Sequence, residues 1–206
     1  MKLLYATTNK GKLHSMQRIA KDLGIEIYGL SSVAGQLPSI IEDGKTPLDN
    51  AIKKAKAYYL HLKTPLFSCD SGLYFDDIDP ALQPGLNIRR VNGKVLSDEE
   101  MIEYYSSLSK DHGGRIIGRY KNAICLIDKE GRKHECFDET LWTEPFILSS
   151  IPHEHRVPGF PLDSLSIDIK SGKYYYDLEE KSVDQDAVHN GFRKFLESLI
   201  ALDVLK

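Results

Sequence analysis

The chain is predicted to be an α/β protein with a mixed sheet, and three observations carry that prediction. Short apolar runs alternate with stretches whose apolar residues recur at helical spacing. Two of those stretches open on helix-capping sequences, Thr46-Pro-Leu-Asp49 and Ser97-Asp-Glu-Glu100. A long hairpin, Ile116 to Ile127 and Lys133 to Trp142 around the four-residue loop Asp128-Lys-Glu-Gly131, adds antiparallel strands.

The elements follow in order. Leu3 to Ala6 reads as a first strand. After the polar turn Thr7 to Lys12, Leu13, Met16, Ile19, Ala20 and Leu23 keep one helix face, and the helix ends near Gly24. Ile25 to Leu30 reads as a second strand, and residues 31–45, with Gly35, Pro38 and Gly44, as a loop. Thr46 is an N-cap and Pro47 the first helical residue; Leu48, Ala51, Ile52, Ala55, Tyr59 and Leu62 continue the face until Thr64-Pro65 stops it. Leu66 to Cys69 reads as a short strand ending in an Asp70-Ser-Gly72 turn, after which Leu73-Tyr-Phe75 resumes an extended run. Ser97 opens a helix to about Leu108. Beyond the hairpin, residues 143–164 read as irregular and proline-rich. Ser182 to Gln185 caps a last helix, packed through Val188, Phe192, Phe195, Leu196 and Leu199.

At 206 residues the chain is one domain, residues 1–206, or two closely joined lobes, with room for a proper core. The formal net charge of −3 argues against a general nucleic-acid or membrane-surface binder, so a phosphate ligand needs a local cluster of cations. No apolar run approaches the length of a membrane span. Polarity returns by Asn9, so no signal-peptide core is expected. Cys69, Cys125 and Cys136 are far apart and odd in number, which reads as buried free thiols in a reducing cytosol. A cytoplasmic protein is the expectation. With no Cys-x2-Cys pair, zinc is not expected. His153 and His155 belong to a surface loop or to one side of an extended segment.

The start of the chain is where chemistry is most legible. A loop that ends a strand and opens a helix presents backbone N–H groups and the positive end of the helix dipole, which suits phosphate. Thr7, Thr8 and Asn9 add hydrogen-bonding groups, and Lys10 and Lys12 add charge. The Walker spacing is absent. Spacing alone leaves a phosphate cradle and an ordinary polar turn both open. In open α/β sheets ligands gather at the carboxyl ends of strands. Thr7 to Lys12 and Asp70 to Gly72 are two such places. If their strands are neighbours, a cationic loop meets a carboxylate, as phosphate-handling sites with Mg²⁺ and an attacking water require.

Three segments in order, Ala6-Thr-Thr-Asn-Lys-Gly-Lys12, Glu42-Asp-Gly-Lys-Thr-Pro-Leu-Asp-Asn-Ala-Ile-Lys-Lys-Ala55 and Cys69-Asp-Ser-Gly-Leu73 followed by Pro84-Gly85, resemble the inosine triphosphate pyrophosphatase family. The family blocks read Ala-Thr-x-Asn-x-Gly-Lys, Glu-x-Gly-x-Thr-Phe-x-Glu-Asn-Ala-x-x-Lys-Ala and Asp-Asp-Ser-Gly-Leu. Here Pro47 replaces the Phe, Asp49 the second Glu and Cys69 the first Asp. The resemblance implies a two-lobed α/β fold around a long twisted mixed sheet, a cleft between the lobes and a homodimer. It implies Mg²⁺-dependent hydrolysis of non-canonical purine nucleoside triphosphates to monophosphate and pyrophosphate, a house-cleaning role in the nucleotide pool. Carried over by position, Thr7, Thr8, Asn9, Lys10, Lys12 and Ser71 bind substrate. Asp70 is metal ligand and catalytic carboxylate, Lys54 supports it, and Glu42 is the second metal ligand. Glu42 and Asp43 also read as solvated loop acids, and Asp49 as a helix-start residue.

The C-terminal half departs from the family pattern. Gly-Phe-Gly-Tyr-Asp-Pro becomes Gly159-Phe-Pro-Leu-Asp163, which keeps Phe160 and Asp163 as substrate-binding candidates. The family's lysine corresponds to Lys181. Its Ser-His-Arg becomes Val188-His189-Asn190, with Arg193 one turn beyond His189. Base preference is therefore open. So is a second class of function, a non-catalytic or weakly active nucleotide- or phosphate-binding protein on the same fold.

Overall fold

The structure, a computed structural model, describes residues 1–178 and 185–205. Its main elements in chain order are β1 (Lys2–Tyr5), α1 (Lys10–Ala20), β2 (Glu26–Gly29), α2 (Pro47–Leu62), β3 (Leu66–Phe75), β4 (Arg90–Val91), β5 (Lys94–Val95), α3 (Asp98–Asp111), β6 (Arg115–Ile127), β7 (Lys133–Cys136), β8 (Phe146–Ser149), β9 (Ser166–Asp168) and α4 (Gln185–Ala201). Among the described residues seven strands form a mixed sheet in the order β2-β1-β3-β6-β8-β9, with β7 paired to β6. The predicted α/β class with a mixed sheet is borne out. The chain divides into two compact units, Met1–Ser71 with Lys121–Trp142 and Asp186–Lys206, and Gly72–Tyr120 with Thr143–Gln185.

In the first unit β1 pairs in parallel with β2 on one side and β3 on the other, in the registers Leu3↔Ile27 and Leu4↔Leu66. Successive strand residues point to opposite faces. Leu3, Tyr5, Phe67, Ile124 and Leu126 pack with Met16 and Ile19 of α1 and Phe192, Leu196 and Leu199 of α4. Leu4, Leu66, Ala123, Cys125 and Ile127 pack with Ala51 and Ala55 of α2. Apolar cover on both faces explains why these strands read as continuous apolar runs. In the second unit Leu73, Phe75, Met101, Ile102, Tyr105, Ile116, Phe146, Leu148 and Leu165 form the core, with β8 antiparallel to β6 and to β9.

Four expectations are corrected. Asp70-Ser-Gly72 is no turn, because β3 runs without a break from Leu66 to Phe75. Gly72 serves close approach instead: a Cβ there would stand 3.0 Å from the Gly85 carbonyl and 2.8 Å from the Tyr74 ring. The stretch read as irregular contains β8, and β9 follows it. Strand β7 stops at Cys136, and a short 3₁₀ turn at Glu139–Leu141 follows. Of the cysteines only Cys125 is fully buried; Cys69 and Cys136 are partly exposed. The capping sequence expected at Ser182 lies outside the described residues. No helix among the described residues is long and apolar enough to cross a membrane.

The β6–β7 hairpin is held by a buried carboxylate. Asp128 has no exposed side-chain surface and accepts from the backbone N–H of Glu130 and Arg132, from Arg132 Nε at 2.8 Å and from His134 Nε2 at 2.9 Å. Burial alone would raise its pKa, but these donors outweigh burial and hold it down at about 2. A depressed carboxylate contributes stability above its unfolded pKa and loses it as pH falls through the folded value. Asp128→Ala removes a buried carboxylate and its charge-assisted hydrogen bonds while leaving Arg132 largely in water, and is therefore expected to cost about 2 kcal/mol at neutral pH. Urea unfolding should show the difference between variant and wild type shrinking between roughly pH 4 and pH 2. A pH-independent difference would place the loss in packing.

Candidate active site

Two strand ends meet where the sequence marks its chemistry. Because β1 and β3 are parallel neighbours, the chain leaving β1 lies beside β3, and Ala6 N–H donates to the Phe67 carbonyl at 2.8 Å. Thr7 N–H turns back to the Tyr5 carbonyl at 2.7 Å, and Asn9 caps α1 by accepting from Lys12 N–H at 3.0 Å. Asparagine at the cap satisfies one of the orphan donors of the first turn. The remaining amides and the dipole face the same space as Lys12.

That space is a cavity of about 420 Å³ within the first unit, lined by Thr7, Thr8, Asn9, Lys12, Glu42, Lys54 and Asp70, with Leu30, Pro38, Tyr58 and Cys69. Lys10 is exposed at the helix start and does not line it. The condition set by the sequence, that the cationic loop and Asp70 stand on neighbouring strands, is met.

The Glu42 segment is fixed by the start of α2. Thr46 and Asp49 form a reciprocal capping box, and Asp49 Oδ2 also accepts from Lys45 N–H at 3.0 Å. These bonds, led by the Thr46 donors, hold the Asp49 carboxyl below the ordinary range. Asp49 is thus a helix-start residue. Gly44 N–H donates to Oδ1 of the buried Asn50 at 2.8 Å, and a Cβ on Gly44 would lie 2.6 Å from that oxygen and from Asp49 Cβ. Only glycine lets this loop lie so close to α2. Asp43 pairs with Lys53, whereas Glu42 turns to the cavity.

Alternation along β3 decides which side chains face α2. Ser68 donates to the Ala51 carbonyl of α2, and Asp70, two residues on, shares that face. There it meets Lys54, whose ammonium stands 3.2 Å from Asp70 Oδ1 and 2.8 Å from Glu42 Oε2. The Lys54 and Asp70 side chains are only 13% and 14% exposed. Burial works against the ammonium charge, but the Asp70 charge and the Glu42 hydrogen bond outweigh it and raise the Lys54 pKa. Cys69 faces the other way, and burial pushes its thiol up to about 12, so this position brings no charge beside Asp70. Ser71 shares the Cys69 side. Its hydroxyl donates to Asn122 Oδ1 at 2.7 Å, and the Asn122 amide donates to the Leu141 carbonyl at 2.7 Å.

Within the first unit, His189 and Arg193 do not line this cavity. His189 Nε2 is 3.0 Å from the Ser15 hydroxyl of α1. The Arg193 guanidinium pairs with Glu197 at 2.9 Å and Asp22 at 3.5 Å. Phe160 and Asp163 belong to the second unit; Phe160 is exposed, and burial raises the Asp163 carboxyl to about 6. Lys181 lies outside the described residues. Sequence reasoning missed Tyr58 as a cavity residue, although it stands one helical turn beyond Lys54 and that spacing was a usable signal.

A model of the Ham1 family matches residues 3–147. A dITP/XTP pyrophosphatase of Corynebacterium efficiens is 30% identical over 211 residues, covering 97% of this chain and 96% of that protein. Proteins of the same name from Desulforamulus reducens and Aquifex aeolicus are 30% and 41% identical over 65% and 39% of this chain. The matched stretches span 66% and 38% of those two relatives' own lengths. Among solved structures, a HAM1 protein from Coxiella burnetii superposes with a TM-score of 0.76 at 20% identity, covering 98% of this chain and 99% of that one. The Staphylococcus aureus Ham1 protein gives 0.71 at 21%, covering 96% and 99%. The family model takes in all three blocks that carry the sequence resemblance, and one relative aligns over nearly the whole chain; the chain belongs to the Ham1 family.

Proposed function

We propose that this chain hydrolyses nucleoside triphosphates to monophosphate and pyrophosphate with Mg²⁺, acting on non-canonical purine nucleotides in a nucleotide-pool house-cleaning role. One observation carries the reading: a capped helix start with Lys12, a nearly buried Asp70–Lys54 pair and the more exposed Glu42 that Lys54 also reaches line one cavity. Relatives named dITP/XTP pyrophosphatase support this choice of substrate class. A reducing cytosol and a homodimer belong to the same proposal.

In this reading Thr7, Thr8, Asn9 and Lys12 receive the phosphate chain, with the α1 amides as further donors. Asp70 aligns a water molecule and takes its proton as the water oxygen bonds to the α-phosphorus. The bond from that phosphorus to the bridging oxygen breaks, and pyrophosphate leaves with the bond's electron pair. The residues present fit a hard divalent ion, since Asp70 and Glu42 offer carboxylate oxygens and together already hold one cation, Lys54. Bound there with the substrate phosphates, Mg²⁺ supplies charge neutralisation.

The test is a panel of ITP, dITP, XTP, ATP and GTP with Mg²⁺, scored for both phosphate products. Monophosphate and pyrophosphate in equal amounts are expected. Orthophosphate released without added pyrophosphatase would mean attack at another phosphorus. Nucleotide binding with no product would leave the binding-protein reading.

A further inference from the structure

We propose that Lys54 serves as the resident counter-ion of the Asp70–Glu42 pair in the free protein, so that the divalent metal binds weakly on its own and is taken up together with the nucleotide. The inference rests on the Mg²⁺-dependent reading above. One ammonium reaches both carboxylates, at 3.2 Å and 2.8 Å, and Lys54 and Asp70 are each about seven-eighths shielded from water. Two carboxylates and one ammonium leave a net charge of −1, whereas two carboxylates alone would offer −2. A divalent ion approaching the free protein therefore meets half the attraction and a positive charge already seated between its ligands. Shielding keeps the Lys54–Asp70 interaction strong, since the effective dielectric near buried groups is far below that of water; Glu42 is 45% exposed, so its share is the weaker one. The other groups around the cavity are a cation, Lys12, and neutral side chains such as Thr7, Asn9 and Tyr58, none of which replaces the lost negative charge.

A nucleotide changes the balance. Its phosphates bring negative charge to the Lys12 side of the cavity and give Lys54 an alternative partner, freeing carboxylate oxygens as they supply further oxygen ligands. Metal and triphosphate then bind with positive coupling, and each raises the affinity for the other by the same factor.

Mg²⁺ alone, then Mn²⁺ alone, is titrated calorimetrically into the full chain of wild type, Lys54→Met and Lys54→Arg. Unfolding curves show whether each variant is folded. Removing the ammonium is expected to tighten metal binding about tenfold or more. Lys54→Arg keeps the charge and is expected to bind as weakly as wild type. Metal affinity unchanged or weaker in Lys54→Met overturns the proposal, as does tight binding by Lys54→Arg. If Lys54→Met does not fold, wild type alone decides: a metal affinity that does not rise in the presence of a non-hydrolysable triphosphate overturns it. The titrations need no turnover, so an inactive chain would refute the proposed reaction and leave this result readable.

Discussion

Asp70→Asn is expected to lower kcat by a factor of about 10² to 10³ or more while the protein stays folded, the size of effect seen when one electrostatic stabiliser is removed from an active site. The side chain is isosteric, so β3 keeps its shape, and Lys54 keeps Glu42 as a partner at 2.8 Å. What disappears is the negative charge that aligns water and receives its proton. That corresponds to a barrier increase of about 2.7–4 kcal/mol. The comparison is steady-state turnover of ITP and dITP by wild type and variant, with thermal unfolding of both. The competing role for Asp70 is as a counter-ion to Lys54, since an uninterrupted β3 removes any role as a turn cap. A variant within threefold of wild-type turnover would leave Asp70 that counter-ion role alone.

How much of this site was legible depends on the range of the interactions that build it. The α2 start was fully legible, because Thr46, Pro47 and Asp49 satisfy one another within a few residues. So was the first strand–loop–helix, where Asn9 caps α1 locally. The pairing of β1 with β3 was stated only as a condition, because no local signal chooses a strand's neighbour. Asp70-Ser-Gly72 misled for the opposite reason. Its composition is that of a turn, yet Leu73 N–H donates to the Gly85 carbonyl at 2.9 Å and holds the chain extended. Strand β8 is four residues long and follows Pro145, too short for its alternation to stand out. The Lys54 bridge joins residues from a loop, a helix and a strand, and only the family resemblance pointed to it. Arg193, one turn beyond His189 in the sequence, pairs with Asp22 and Glu197, partners that helical spacing by itself does not choose.

Lys12→Ala is expected to weaken triphosphate binding about tenfold or more, and monophosphate binding much less. A hydrogen bond to a charged group contributes about 1.5–3 kcal/mol, and each 1.4 kcal/mol is a factor of ten in affinity. The side chain lines the cavity at the mouth of α1, where the β- and γ-phosphates would bring the densest charge. Its backbone N–H, not its side chain, makes the bond to Asn9, so the helix cap survives the substitution. Alanine is also the best helix former, which keeps α1 intact. Lys10→Ala is the matched control, one lysine removed from the same helix start but outside the cavity lining, and should change affinity less than about threefold. The measurement is competition by a non-hydrolysable triphosphate, by pyrophosphate and by monophosphate, for wild type and both variants. Pyrophosphate should follow the triphosphate, because both carry the charge that Lys12 reads. Equal losses for triphosphate and monophosphate would move Lys12 to the α-phosphate. A larger loss in Lys10→Ala than in Lys12→Ala would mean that the cations act through the general field of the helix start and that the cavity lining does not mark the phosphate path.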